Sequence, residues 1–207
     1  LNKNKLTWNT KLNVSKNAAA QRRTKLYVEE GTYITVHNAV NALIIKSAND
    51  VATVVAENIS GSERKFAKLM TKYARNIGME KTTFKNASGL RNRAQLTTAR
   101  ETGILAHALI SNFPEYYKLF SEKKFTWKDK IYKTHNRLML NYDGADGIKT
   151  GYIQDSGFQL AFSAIRNNKR LIGVYFGGDT AKQRDQTLSF LMNKEFEELQ
   201  IYNTKKI

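Results

Sequence analysis

The sequence has no cysteine, which excludes disulfide frameworks, cysteine zinc sites and cysteine nucleophiles. It also has no long apolar run: the longest, residues 42–45, has four residues, whereas a membrane span needs roughly 18. The first eight residues contain no apolar signal-peptide core and do not begin with Met. We therefore expect neither a membrane span nor a signal peptide within this chain, and we expect it to be a piece of a longer protein.

Three common kinds of catalytic motif are missing as well. The sequence has no glycine-rich phosphate loop of the G-x-G-x-x-G or G-x-x-x-x-G-K-[ST] type and no G-x-S-x-G elbow. His37, His107 and His135 lie far apart, without the spacing of zinc ligands. Nucleotide-binding, zinc-dependent and α/β-hydrolase chemistry are therefore disfavoured, and chemistry based on serine and lysine remains.

Positive charge is what the sequence has in excess. Lys and Arg number 34 and Asp and Glu 18, which gives a net charge of +16 on a chain that is 41% hydrophobic and 25% charged. This composition is typical of a globular protein, and 207 residues suffice for one domain or for two small lobes that share a core. The charge favours anionic partners such as nucleic acid, acidic lipid headgroups or a wall polymer. The alternative is that the lysines are solvated surface.

The apolar pattern changes along the chain from helical spacing to alternation, which predicts helices first, then a hairpin, an antiparallel meander and a last helix. The predicted helices are residues 36–46, 51–58, about 62–77, about 98–111 and about 181–200; the hairpin pairs 125–127 with 131–133, and the meander strands are 148–153, 158–166 and 171–176. Ser60 and Glu63 fit a capping box at the start of the third helix. Helices followed by strands indicate the α+β class.

Two short motifs are candidates for catalysis or substrate binding. Lys149-Thr150-Gly151 occurs once, at the start of the first predicted strand, whereas a given tripeptide is expected roughly 0.05 times in such a chain. Ser-x-Asn occurs at residues 15–17 and 47–49. The second lies in a polar break between two apolar helices, where its side chains can face a cleft. The alternative is that Ser47 or Asn49 is an ordinary helix N-cap.

An S-x-N in the helical part and a K-T-G on a later strand are two of the three elements typical of penicillin-binding proteins and class A β-lactamases. The resemblance extends further, because the chain from Leu6 to about Asn193 resembles the serine D-alanyl-D-alanine carboxypeptidases. These are low-molecular-weight penicillin-binding proteins of the peptidase S11 type. The segments that carry the resemblance are residues 12–15, 43–57, 66–78, 84–90, 97–100, 112–117, 135–138 and 146–152.

The resemblance implies a fold and a reaction. The fold is α+β, of the penicillin-binding protein and β-lactamase type. Residues 1–207 form part of one catalytic domain, with a helical lobe at about 16–120 and a sheet lobe at about 121–207. In the reaction, a serine attacks the carbonyl between the last two D-alanines of a peptidoglycan stem peptide, and water then hydrolyses the acyl-enzyme. No metal or organic cofactor is implied.

Matching the family's motifs to this sequence gives roles to five residues. Ser47 relays a proton to the departing D-alanine amine, and Asn49 orients the nucleophile side and a substrate amide. Lys149 supplies positive charge, and Thr150 supplies a hydroxyl for the terminal carboxylate. Gly151 gives the clearance that lets the substrate lie along the strand edge like an added strand.

Three departures from the family pattern matter. The nucleophile of the family lies in an S-x-x-K motif, which the resemblance places about twenty residues before Leu1. The S-x-x-K strings at residues 62–65 and 121–124 follow the S-x-N, so we expect neither to hold the nucleophile. Ile153 stands where relatives tend to have a polar residue, and the chain stops at Ile207, where many relatives continue into a second domain. Without the preceding segment, we expect the apolar residues of strands 158–166 and 171–176 to be partly exposed.

The partners implied are stem peptides that end in D-Ala-D-Ala and the β-lactams that imitate them, with an anionic membrane surface as a further candidate and no nucleic acid. The implied location is the periplasm or cell envelope. The main alternative is a catalytically inactive remnant that still binds peptidoglycan. A basic nucleic-acid-binding module and a β-lactamase are less favoured, the latter because nothing between Ser47 and Lys149 resembles a deacylation loop that carries glutamate.

Overall fold

The computed structural model describes residues 6–204. The helices are α1 (Lys16–Ala19), α2 (Val36–Asn41), α3 (Asn49–Ser60), α4 (Glu63–Asn76), α5 (Ala99–Asn112), α6 (Pro114–Tyr117), α7 (Arg137–Asn141) and α8 (Ala181–Thr204), and the strands are β1 (Lys11–Asn13), β2 (Tyr33–Thr35), β3 (Lys124–Trp127), β4 (Lys130–Lys133), β5 (Ala145–Ile153), β6 (Gly157–Arg166) and β7 (Lys169–Gly178). A π-helical turn, Ala42–Lys46, continues α2. Residues 1–5, part of the segment in which we expect no signal peptide, lie outside the described residues.

The strands pair only with antiparallel neighbours. Strands β5, β6 and β7 form the predicted three-stranded meander, β3 and β4 form the predicted hairpin, and β1 pairs with β2. The class, the meander and the hairpin are therefore confirmed. The pair β1–β2 and the short helices α1, α6 and α7 were not predicted, because elements of three to five residues are too short to show a periodicity. In the described part of the chain, no helix has the length and apolar character needed to cross a membrane.

The chain divides into two compact units. The first runs to Thr97 and includes Glu122–His135; the second comprises Thr98–Ser121 and resumes at Asn136. This division differs from the lobe boundary predicted near residue 120. The hairpin belongs to the helical unit because Phe125 packs in its core, and α5 belongs to the sheet unit because it packs against the sheet. Sequence order alone does not specify such tertiary grouping.

The start of α4 corrects the predicted capping box. Ser60 is the last residue of α3, and the N-cap of α4 is Ser62, whose hydroxyl accepts a hydrogen bond from the backbone N–H of Lys65 at 3.3 Å. Glu63 does not reach back to the cap, since its carboxylate accepts a hydrogen bond from the backbone N–H of Ala87 at 3.0 Å. The predicted box is therefore wrong, because the preceding helix extends two residues further than its apolar pattern indicated.

One face of β6 is fully covered by α8. The residues that meet there are Leu160, Phe162 and Ala164 of the strand and Leu188, Met192 and Phe196 of the helix. The expectation of partial exposure is therefore wrong for this face of β6. It is confirmed for residues 171–176 of β7, each of which keeps part of its surface exposed.

We predict that Leu160→Ala lowers the free energy of unfolding by about 2 to 5 kcal/mol, because the side chain is completely buried and its removal leaves a cavity. The control is Ile165→Ala on the same strand, where 40% of the side chain is exposed and a loss of only about 0.5 kcal/mol is expected. Urea unfolding followed by circular dichroism measures both values. Equal losses would contradict the placement of α8 over β6.

Candidate active site

Ser47 occupies a sharp turn in front of α3. Its backbone is left-handed, with φ 57° and ψ 48°, a conformation that costs energy for a residue other than glycine. Thr24 holds the turn from a neighbouring segment: its hydroxyl donates to the Ser47 carbonyl oxygen at 2.9 Å, and its own carbonyl oxygen accepts from the Asn49 N–H at 2.8 Å. The N-cap of α3 is Ala48, which makes no side-chain capping bond. The N-cap interpretation of Ser47 and Asn49 is therefore wrong.

Asn49 is buried at the first position of α3. Its side-chain amide donates to the carbonyl oxygen of Arg22 at 3.2 Å, so it fixes the same segment that Thr24 belongs to. None of the described residues donates a hydrogen bond to the Asn49 side-chain carbonyl oxygen. The side-chain nitrogen of Asn49 thus holds the neighbouring segment, and its side-chain oxygen can accept a hydrogen bond from another group.

Asp50 holds the segment that supports the turn. Its carboxylate is completely buried and accepts hydrogen bonds from the backbone N–H groups of Leu26, Tyr27 and Val28 at 3.0, 2.8 and 3.2 Å. A fourth bond comes from the N–H of Val51 at 2.9 Å. A buried charge is tolerated only when such bonds replace its hydration. The carboxylate therefore fixes residues 26–28, and with them the supporting segment, against α3.

The other S-x-N string, at residues 15–17, has a structural role. The Ser15 hydroxyl accepts a hydrogen bond from the N–H of Ala18 at 3.0 Å and donates to the Glu57 carboxylate. The Asn17 amide donates to the other oxygen of Glu57 at 2.8 Å. Both polar side chains of this string are thus used to attach α1 to α3, which leaves residues 47–49 as the candidate site.

Lys149, Thr150 and Gly151 lie in the middle of β5, not at its start as the sequence indicated. The strand begins at Ala145, three residues before the predicted start at residue 148, and Gly147 is paired in the sheet with Ser163.

Lys149 pairs across the sheet with Ala161, which pairs in turn with Val174 of β7. Residues in such a row share one face of the sheet. The Lys149 ammonium donates to the carbonyl oxygen of Thr150 at 2.9 Å. Burial lowers the pKa of Lys149 to about 8, because the charged form loses hydration. Lys149 is therefore charged in most molecules at pH 7 and gives up its proton more readily than an ordinary lysine.

Gly151 lies directly opposite Gln159 on β6. A Cβ atom at position 151 would lie 3.2 Å from the side-chain oxygen of Gln159, closer than an ordinary contact. Glycine thus keeps this part of the strand open without displacing its neighbour.

The two S-x-x-K serines are engaged in local structure. Ser62 caps α4, and the Ser121 hydroxyl donates to the carbonyl oxygen of Lys118 at 2.7 Å. These bonds support the expectation that neither serine is the nucleophile. Within residues 6–204, no three His, Asp or Glu side chains lie together as a metal site.

Asp50 and Thr24 are the supporting residues that sequence reasoning missed. The available signal for Asp50 was an acidic residue directly before the mostly apolar segment 51–56, in a position expected to be buried. Thr24 gave no signal, because its role depends on a contact with a segment more than twenty residues away.

Comparison with known proteins identifies the family of the chain. The family model described as D-alanyl-D-alanine carboxypeptidase, peptidase S11, matches residues 1–180. The chain is 32% identical to the D-alanyl-D-alanine carboxypeptidase DacF of Bacillus subtilis, with 98% of the chain and 53% of the relative aligned. It is 34% identical to DacC of Escherichia coli, with 81% and 42% aligned. The chain thus spans about half the length of the curated relatives it matches.

Solved structures give the same result. The crystal structure of penicillin-binding protein 5 from Haemophilus influenzae matches with a TM-score of 0.91 at 30% identity, over 95% of this chain and 59% of that one. Penicillin-binding protein 6B from Escherichia coli matches with a TM-score of 0.86 at 30% identity, over 93% and 63%. The fold is that of the penicillin-binding proteins, and the chain belongs to the peptidase S11 family of D-alanyl-D-alanine carboxypeptidases.

Proposed function

We propose that this chain supplies the S-x-N and K-T-G parts of a serine-type D-Ala-D-Ala carboxypeptidase. The substrate is a peptidoglycan stem peptide that ends in D-Ala-D-Ala, and β-lactams imitate it. The observation that carries the proposal is the family match over residues 1–180, which includes both motifs. It is supported by the left-handed turn at Ser47 and the central position of Lys149 in β5.

The proposed reaction passes through an acyl-enzyme. The serine oxygen of an S-x-x-K segment outside residues 1–207 bonds to the carbonyl carbon of the penultimate D-alanine, and the bond to the terminal D-alanine nitrogen breaks. The serine proton leaves through a basic group, and the departing nitrogen receives a proton. Water then hydrolyses the ester. We propose that residues 1–207 are one part of a single catalytic domain that includes this serine.

Ser47 and Asn49 act on the reacting centre in this proposal. A hydroxyl can accept and donate a proton, so Ser47 relays the proton to the departing D-alanine amine. No described residue donates to the Asn49 side-chain oxygen. In this proposal that oxygen accepts a hydrogen bond from a group beside the nucleophile or from a substrate amide. The network of Asp50 and Thr24 positions both residues without taking part in the proton transfer.

Lys149, Thr150 and Gly151 bind the other end of the substrate. The terminal carboxylate is an anion, and a charged donor and a hydroxyl are suited to bind it. Gly151 leaves room for the peptide to add to β5 as a further strand. Ile153, two residues further on, offers no polar side chain for such contacts.

The proposed location is the periplasm or the outer face of the cell envelope, where stem peptides are accessible. The net charge of +16 supports a further association with an anionic membrane surface. Within the first unit, Arg64, Lys68 and Lys72 are exposed on α4 at a spacing of four residues, which places them along one side of the helix.

A catalytically inactive, peptidoglycan-binding protein is the second candidate. The observation in its favour is that both S-x-x-K serines form local structural hydrogen bonds. Release of D-alanine from a stem pentapeptide distinguishes the two candidates. The proposed function requires release by a form of the protein that includes an S-x-x-K segment ahead of these residues, whereas the inactive protein binds peptide without release.

We predict that the 207-residue chain alone forms no covalent adduct with fluorescent penicillin, because Ser62 and Ser121 are structural. Denaturing electrophoresis should show an unlabelled band. A covalent label on either serine, located by peptide mass spectrometry, would contradict both the assignment of these serines and the proposed origin of the nucleophile.

We predict that Ser47→Ala, in an enzyme form that includes the S-x-x-K segment, lowers kcat and kcat/KM together by about 100-fold, because a proton relay acts in the transition state. The matched control is Ser15→Ala in the other S-x-N string. It should cost about 1 kcal/mol of stability as a lost cap and leave turnover unchanged. Steady-state D-alanine release and thermal unfolding give the two readouts. Similar behaviour of the two variants would show that Ser47 is only structural.

We predict that Lys149→Ala in the same enzyme form lowers kcat/KM for D-Ala-D-Ala peptides by about 10- to 150-fold, because a hydrogen bond to a charged group is worth roughly 1.5 to 3 kcal/mol. Lys169→Ala, an exposed lysine on β7, is the control and should have no effect. A peptide with an amidated C-terminus should be a poor substrate for the parent and lose little more on mutation. If both peptides lose activity by the same factor, Lys149 does not bind the carboxylate.

A further inference from the structure

Four polar side chains meet at the N-terminal end of β5. The Arg170 guanidinium of β7 forms an ion pair with the Asp146 carboxylate at 2.7 Å and donates to the hydroxyl of Ser163 on β6. The Tyr117 hydroxyl donates to Asp146 at 3.0 Å. This cluster, Tyr117, Asp146, Ser163 and Arg170, therefore connects all three strands of the meander with α6.

The cluster is well shielded from water. Ser163 is completely buried and Tyr117 is 5% exposed, while the side chains of Asp146 and Arg170 keep about a quarter of their surface. Burial raises the pKa of Tyr117 far above its usual 10, so the phenol remains protonated and continues to donate to Asp146. The Arg170 guanidinium also lies 5.2 Å from the centre of the Tyr117 ring, within the range of a cation–π contact.

The cluster lies at the one register shift between β5 and β6. Ala145 pairs with Ala164, but Gly147 pairs with Ser163. Asp146 is thus an extra residue on β5 without a partner of its own in the sheet, as in a β-bulge. Its side chain is instead held by Tyr117 and Arg170, and the backbone next to it is packed: a Cβ atom at Gly147 would lie 2.8 Å from the Tyr117 hydroxyl.

The extra residue decides which face of the sheet Lys149 occupies. Beyond the shift, Lys149 pairs with Ala161 and Thr150 with Leu160. If β5 continued in the register of Ala145 and Ala164, Lys149 would lie opposite Leu160 instead. Because a slip of one residue moves every side chain to the other face, the lysine would then occupy the place opposite Leu160 that Thr150 holds in the native register.

We propose that the cluster is a register lock: by holding Asp146 as the extra residue of β5, it keeps Lys149 and Thr150 on their native faces of the sheet. Tyr117, Asp146, Ser163 and Arg170 are thus positioning residues for the K-T-G motif. The role of Lys149 in catalysis rests on the proposed function. The register of β5 does not depend on that function and can be measured without an activity assay.

Cysteine cross-linking tests the register directly, since the chain has no cysteine of its own. The native pair is Tyr152→Cys with Phe158→Cys, whose parent rings are 4.5 Å apart and whose residues are directly opposite. The slipped pair is Gly151→Cys with Phe158→Cys, which oppose each other only after a shift of one residue. Each pair is oxidised under mild conditions in the 207-residue chain, and disulfide formation is measured by thiol titration and mass spectrometry.

With the cluster intact, we expect the native pair to form its disulfide faster than the slipped pair by about tenfold or more, because directly opposite Cβ atoms are close enough to bridge. Asp146→Ala should reduce this ratio by about tenfold, equivalent to about 1.4 kcal/mol. The matched control is Asp143→Ala, which removes an exposed carboxylate in an ion pair with Arg166 and should leave the ratio unchanged.

Tyr117→Phe is the milder second variant, since it removes one hydroxyl and preserves the ring. It should reduce the ratio in the same direction by a smaller factor, which provides a result even if Asp146→Ala does not fold. If both variants lower only the melting temperature and the native pair keeps its full preference, the cluster stabilises the sheet without setting its register. If the parent enzyme form releases no D-alanine, the proposed function is wrong. The cross-linking result does not depend on that outcome.

Discussion

The buried carboxylate of Asp50 is the interaction on which the first candidate motif depends. It lies three residues after Ser47 and accepts hydrogen bonds from three consecutive backbone N–H groups of a separate segment. These bonds compensate for the hydration that the charge loses. The same segment provides Thr24 and Arg22, whose contacts hold Ser47 in a left-handed turn and Asn49 at the start of α3. A charge that takes no direct part in catalysis thus determines where two proposed catalytic side chains lie.

The sheet unit uses a similar arrangement. Asp146 lies three residues before Lys149 and is held by Tyr117 and Arg170. In both units a carboxylate next to the motif binds groups from distant parts of the chain and fixes the local backbone. Lys149 itself is partly buried, and its lowered pKa shows that its position costs hydration. Such a position needs a rigid strand, because a mobile lysine would turn towards water.

The sequence predicted the regular elements better than the contacts that position the site. The meander was predictable because large apolar residues alternate with smaller ones along β6, and Leu160 and Phe162 form its buried face. The end of α3 was not, since Ser60 and Glu63 have the spacing of a capping box but lie on either side of a helix end set by tertiary packing. The start of β5 was also misjudged, because an Asp-Gly pair normally indicates a turn and is here held in the sheet by the cluster around Tyr117.

The supporting residues of the site were beyond the reach of local patterns. Leu26 and Asp50, or Asp146 and Arg170, are about 24 residues apart, and no periodicity connects them. By contrast, Ser47, Asn49 and the K-T-G motif were recognisable as short strings. The sequence therefore predicted which residues act, and the structure adds how their backbone is held.

The position of a β-lactam carboxylate tests the central claim most directly. It can be read from a crystal structure of the acyl-enzyme that penicillin forms with an enzyme form including the S-x-x-K segment. The account predicts carboxylate oxygens within about 3 Å of the Thr150 hydroxyl, at hydrogen-bond distance, with the ligand lying along β5. A carboxylate bound elsewhere, with no contact to Lys149, Thr150 or Gly151, would contradict it.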